Sequence, residues 1–225
     1  ALSHGSRVLA ALPVAGKRGE TRAVEFIGFG LATGQPKMES VTKQVTFPTS
    51  AEQTVFPYRL ETTWGTSPAF PLALSDLPEQ VEPTTATDKP RPLPIPSALT
   101  GRLHARQTLS RYSVKGTKGD SLTIAADARR FGSPLDLKLT VLGPDGKQLG
   151  TNDDRPGSAD PSLTVKLPVD GEYEIIVSDV SGSADKPTAI YRLSVEKVVE
   201  DFHLTMLPQV NMLVGEKGTL TVNVV

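Results

Sequence analysis

Cysteine is absent from the 225-residue chain, which excludes a disulfide frame, a thiolate nucleophile and thiolate metal ligands. That absence fits the cytosol and equally fits bacterial export, where a free thiol is a liability. Histidines are few: His4 at the terminus, His104 near a Pro-rich stretch, His203 in the tail. No HExxH or HxH spacing links them, which argues against zinc. No GxSxG elbow marks a hydrolase nucleophile. GFGLATG lacks the third-glycine spacing and the following amphipathic helix of a dinucleotide fingerprint. Neither sign of charge dominates: 24 basic and 25 acidic residues leave a net charge of −1, so no global field draws nucleic acid or an anionic membrane. No apolar run approaches the roughly 18 residues of a membrane span. No charged start followed by an apolar core marks a signal peptide. The start at Ala1 and the end in TLTVNVV, mid-strand by pattern, are what a mature or excised piece of a longer protein would show.

Glycine and proline are abundant instead, nineteen of each, and imply many turns between short strands. Residues 1–77 alternate at period two. In VEFIGFGL, Val24 and Phe26 face one way and Ile27, Phe29 and Leu31 the other. Lys43 interrupts the apolar face of SVTKQVTF and predicts an edge strand. Phe56, Tyr58, Leu60 and Trp64 share a parity, and Pro57 confines their segment to an edge. Residues 78–96 hold six prolines and read as a semi-extended linker whose LPIP end lies along the next domain. In 97–198 the apolar faces are Tyr112 and Val114; Leu122, Ile124 and Ala126; Leu135 to Val141; Leu163, Val165 and Leu167; Tyr173, Ile175 and Val177; and Tyr191, Leu193 and Val195. GPDG and PVDG supply turns, and residues 125–130 predict a short helical turn stopped by Gly132. The expected fold is all-β: two tandem β-sandwiches, the first about the size of an immunoglobulin-like one, joined by a Pro-rich linker. Residues 199–225 read as the start of a further β domain or as returning strands.

Two resemblances accompany these patterns. PVAGKRGETRAVEFIGFGL and TTWGTSPAFPLAL resemble the opening and close of a TIG-type immunoglobulin-like domain, usually a spacer or interaction module. YSVKGTKGDSLTI, SPLDLKLTVLGPDGKQLGTNDD, DPSLTVKLPVDGEYEIIVSD and YRLSV, in that order over about 110–197, resemble the bacterial pre-peptidase C-terminal (PPC) domain family. The arrangement is similar to pieces of planctomycete-type multidomain secreted or surface proteins. That family implies that the second sandwich is jelly-roll-like and sits beside a catalytic domain or other modules, aiding export, stability or attachment to collagen or polysaccharide. Its members commonly carry Gly-Asp-x-Asp before the first strand. Here that place reads Arg106-Gln107-Thr108-Leu109-Ser110, without either carboxylate.

Asn152, Asp153 and Asp154, with Asp160, Asp136 and Asp179 in the same signature, are the candidate calcium ligands, since Ca²⁺ takes six to eight oxygens. The competing reading is turn chemistry, in which Asn and Asp bond the local backbone. Arg129 and Arg130 read as an ion-paired surface couple rather than an anion site. Trp64, Tyr58 and Phe56 could form a sugar platform. With aromatics at 5%, the first sandwich has stronger need of them as core. The functional expectation is a non-enzymatic accessory and interaction module of a secreted, periplasmic or surface bacterial protein, partnered by other domains of its parent. The alternative is a carbohydrate- or collagen-binding module, calcium-stabilised in one version, whose partner is a polysaccharide or extracellular protein. Neither version involves nucleic acid or a membrane span.

Overall fold

A strand whose side chains alternate apolar and polar can bury one face only, so strands of this kind must stack as sheets around a shared core. The computed structural model describes residues 5–83, 89–104, 109–198, 204–205 and 223–224. Within them every regular element is a strand except the 3-10 turn Arg129–Phe131.

The first unit contains β1 (Arg7–Leu12), β2 (Ala15–Lys17), β3 (Thr21–Phe29), β4 (Met38–Thr46), β5 (Val55–Tyr58), β6 (Glu61–Thr62), β7 (Gly65–Thr66) and β8 (Phe70–Ser75). One sheet runs β1-β3-β4 and the other β2-β8-β5, with β6-β7 a separate hairpin. Phe26, Phe47, Leu60 and Leu72 are fully buried between them. The expected edges hold: Lys43 lies on edge strand β4 and Pro57 on edge strand β5. One expectation fails. Ile27 does face away from Phe26, but Phe29 is exposed and Leu31 turns back into the main core because β3 ends at Phe29.

The second unit contains β9 (Glu79–Val81), β10 (Arg91–Pro92), β11 (Ser97–Arg102), β12 (Leu109–Gly116), β13 (Ser121–Asp127), β14 (Leu137–Leu142), β15 (Gln148–Asn152), β16 (Ser162–Lys166), β17 (Gly171–Asp179) and β18 (Ile190–Lys197). Its five-stranded sheets run β10-β12-β17-β14-β15 and β16-β13-β18-β11-β9. From β11 to β18 the chain changes sheet at every connection except the β14–β15 hairpin, giving the jelly-roll-like sandwich. Every inward residue expected from parity is buried except Leu163, which is partly buried against the same core.

The Pro-rich stretch is stitched to this unit in its described parts. β9 runs parallel to β11 and β10 parallel to β12, both at sheet edges, where a missing proline N–H costs no ladder bond. Leu93 enters the core and Ile95 packs on it. Beyond the second unit, β19 (Leu204–Thr205) pairs with β20 (Asn223–Val224). The remainder of 199–225 lies outside the described residues.

The two units meet through packed and paired groups. Phe131, from the 3-10 turn of the second unit, joins the core of the first. Ala10 and Ile27 of the first unit cluster with Ile190 of the second, with Leu12 against them. Val14 N–H donates to Thr100 Oγ1 at 3.2 Å. Arg192 Nη2 reaches Ser75 Oγ of the first unit at 3.2 Å, while the same guanidinium holds Glu79 of its own unit through Nε at 3.1 Å and Nη2 at 2.5 Å. Arg22 of β3 donates to the Glu79 carbonyl at 3.3 Å.

Candidate functional site

The six candidate calcium ligands do not converge. Asp160 is completely buried, yet its oxygens accept three backbone N–H bonds, from Ala128 at 2.9 Å, Arg129 at 2.8 Å and Arg130 at 3.2 Å. It therefore caps the 3-10 turn that carries Phe131. Asp179 accepts N–H bonds from Asp136 at 2.9 Å, Ser181 at 3.1 Å and Ser183 at 2.6 Å, and the Ser181 hydroxyl at 2.7 Å. Burial pushes its carboxyl up, and those donors outweigh the burial and hold it below the usual carboxylate range. Asn152 Oδ1 accepts from Ser162 N–H at 3.3 Å. Asp136 faces Arg129 at 3.7 Å, and Asp153 and Asp154 are exposed. Among the described residues no three His, Asp or Glu side chains are grouped to hold a metal ion. The set therefore does not fit a resident calcium, whose shell needs at least six oxygens. Turn and cap chemistry accounts for Asp160 and Asp179.

The arginine couple is paired as expected. Arg130 Nη1 lies 3.3 Å from Asp127, which also binds Arg155 at 2.8 Å, and the Arg130 guanidinium sits 5.0 Å above the Phe131 ring. These contacts cover the turn from outside, so both the carboxylate beneath it and the guanidinium above it position Phe131.

A buried polar cluster escaped sequence reasoning. Tyr112 and Tyr191, from opposite sheets, share a hydroxyl–hydroxyl hydrogen bond, and Tyr191 donates to Glu82 at 3.2 Å. Glu82 is 3.4 Å from Arg91. Burial, then the neighbouring Glu82 carboxylate, raise the Tyr112 phenol. Burial, then its Tyr112 and Glu82 neighbours, raise Tyr191. Both stay protonated at neutral pH. The cluster clips the sheets together and offers no nucleophile. Parity predicts that both tyrosines face inward, but only the fold brings Glu82 to them.

On the outer face of the β10-β12-β17-β14-β15 sheet, a cleft of about 540 Å³ is lined by Lys89, Ser113, Leu142, Glu172 and Glu174, with the GPDG turn at one end. Arg111 already binds Glu174. The cleft is a trough of mixed lining, and among the described residues it brings together no convergent catalytic pair.

The aromatic trio divides. Phe26 stacks on Tyr58 with centroids 5.0 Å apart, and Phe56 meets Tyr58 and Phe47 edge-on. Phe56 and Tyr58 are thus core rings. Trp64 is not: it is 55% exposed at the β6–β7 turn, and its indole N–H donates to the Ala32 carbonyl at 3.1 Å. The core expectation is corrected for this residue. Its parity matches Leu60, but the strand breaks after Tyr58 and the hairpin lifts it out.

Comparison with known proteins adds a family for part of the chain. Residues 110–179 match the model of the bacterial pre-peptidase C-terminal domain. No curated protein matches the sequence. Among solved structures the chain is similar to the pre-peptidase C-terminal domain of collagenase from Bacillus anthracis, at 10% identity and a TM-score of 0.39, covering 50% of this chain and 99% of that one. It is also similar to Aeromonas hydrophila PliG, a periplasmic lysozyme inhibitor, at 19% identity and a TM-score of 0.36, covering 54% and 98%. The M60 catalytic domain with CBM51-1 and CBM51-2 from Clostridium perfringens ZmpB aligns at 11% identity and a TM-score of 0.35, covering 92% of this chain and 21% of that one.

Proposed function

We propose that this chain is a non-catalytic accessory module of an exported bacterial multidomain protein, and that it holds a neighbouring domain at a fixed distance and angle outside the cytoplasm. The observation that carries this reading is the junction. Glu79, with a side chain of 0% exposure, is neutralised by Arg192 where Ser75 of the first unit meets β18 of the second. That pair lies within the second unit and fixes both partners, so swivelling at this point would break the bonds they make to the first unit, from Arg192 to Ser75 and from Arg22 to the Glu79 carbonyl. Phe131 adds an apolar seat in the core of the first unit. A flexible tether has no use for either feature, whereas a strut does.

The finer assignments belong to the same proposal. The first unit, 1–77, is a TIG-type immunoglobulin-like sandwich. Residues 78–96 are a connector laid along the PPC-like unit 97–198, and 199–225 begin or return to another β unit. The partners are other domains of the parent protein.

Small-angle scattering combined with residual dipolar couplings tests the strut. One inter-unit orientation should fit both data sets at low and high salt. A broad distribution of orientations would overturn the proposal. So would turnover of a peptide or ester panel that vanishes on substituting one Ser or Asp.

A second reading, that the module also attaches its parent to a polysaccharide, is favoured by Trp64 standing outside the core.

A further inference from the structure

A tryptophan on a surface hairpin normally costs exposed apolar area unless it packs, so the surroundings of Trp64 indicate what the ring is for. The β6–β7 turn is fixed: Trp64 N–H donates to Thr62 Oγ1 at 3.1 Å, Thr62 Oγ1 donates to the Gly65 carbonyl at 2.9 Å, and Ser6 Oγ lies 3.0 Å from Thr62 Oγ1. The indole lies on the β3–β4 loop. A Cβ added to Gly34 would fall 2.6 to 2.9 Å from Cδ2, Cε3 and Cγ, so the glycine backbone touches one face of the ring. That loop is itself stapled, since Glu39 accepts N–H bonds from Ala32 at 2.8 Å and Thr33 at 3.0 Å and binds the Thr33 hydroxyl. The result is a flat ring held at one edge by its N–H and on one face by Gly34, with the rest open to water.

We infer that Trp64 is a stacking platform for a pyranose ring of a polysaccharide. The open indole face is electronegative, and the C–H face of a pyranose is complementary to it. The indole N–H is already spent on Ala32, so the ligand is recognised by the ring's face and not by a donated hydrogen bond. The two loops expose Thr33, Gln35, Thr63 and Thr66, hydroxyl and amide groups suited to sugar hydroxyls at the rim. A protein partner needs on the order of 800 Å² per side with an apolar centre. One ring in a polar rim fits a sugar unit instead. Because the ring is immobilised before binding, little ordering entropy is lost. The inference concerns the first unit alone and stands apart from the strut.

Trp64 is the chain's single tryptophan, so its emission reports this site directly. The intact chain is titrated with gluco-, manno-, xylo- and chito-oligosaccharides. At least one series should shift the emission to the blue and reduce acrylamide quenching. By calorimetry, Trp64→Ala should weaken that sugar about tenfold or more, and Trp64→Phe should lose less. Circular dichroism should show both variants folded. No emission change with any of the four series overturns the platform, as does sugar binding that survives Trp64→Ala. Emission that responds only to an added protein partner overturns it too.

Discussion

Removing the Asp160 carboxylate leaves the N–H groups of Ala128, Arg129 and Arg130 facing a void. Unsatisfied buried donors are costly, so Asp160→Ala should lower the urea unfolding free energy by about 2–4 kcal/mol, and Asp160→Asn, which keeps one acceptor, by less. Since the six acidic-loop residues do not assemble a metal shell, adding Ca²⁺ or a chelator should leave the melting temperature of the unsubstituted chain unchanged. A rise with Ca²⁺ reversed by chelator would restore the metal reading. Glu39 gives the clearest pH signature. Its bonds to the Thr33 side chain and backbone, then to Ala32, hold its carboxyl at about 2, against a usual 4.5. A depressed carboxylate contributes its stability above the unfolded pKa and loses it as pH falls through the folded value. The loop under Trp64 should therefore stay fixed down through pH 4 and loosen only toward pH 2. Tryptophan emission followed against pH should show that late step, and Glu39→Gln, which cannot ionise, should lack it. A step centred above pH 4 would contradict the assignment.

Among the elements, the turns carry more than their sequence signatures suggest. Gly143 and Gly146 close the GPDG hairpin with N–H bonds to Lys147 and Gly143 carbonyls at 2.8 and 2.9 Å. Gly171, at the end of PVDG, packs against that hairpin: an added Cβ would come within 2.5 Å of Pro144 Cγ. Gly171→Ala should force the turns apart and cost roughly 1–3 kcal/mol in chemical denaturation, the usual range for overpacking, without altering the dichroism of the β-sheets. The strands themselves were legible because period-two alternation is local. It marked Leu137, Leu139 and Val141, or Tyr173, Ile175 and Val177, as inward from sequence neighbours alone. It failed where a strand stops. Parity misplaced Leu31 and Trp64 because both lie beyond strand ends, where the chain changes direction. Phe131 was missed for another reason: a single ring after a short turn has no period, and its socket comes from residues some sixty to a hundred and twenty positions earlier.

At the scale of the whole molecule, sequence composition located the Pro-rich boundary but not what the boundary does. Six prolines describe a stiff connector. They cannot reveal that Glu79 inside it meets Arg192, 113 residues away, or that β9 and β10 extend both sheets of the second unit. Such pairings are set by tertiary register, which no local pattern encodes. The candidate site was illegible for the same reason, since acidic residues adjacent in sequence point to different partners in space. The junction yields the last prediction. Arg192→Ala leaves the Glu79 carboxylate buried and unpaired, a loss of about 3–5 kcal/mol for a buried pair broken on one side. That loss falls on edge strand β9 of the second unit, and the same truncation removes the Arg192 bond to Ser75 of the first, so calorimetry should turn one unfolding transition into two. Replacing both partners together, with Glu79→Gln and Arg192→Met, removes the stranded charge and should retain a single transition near the original temperature. If Arg192→Ala merely shifts one transition downward, the ion pair stabilises the second unit internally. The strut would then rest on Phe131, the Ala10–Ile27–Ile190 cluster and the Val14–Thr100 and Arg22–Glu79 hydrogen bonds.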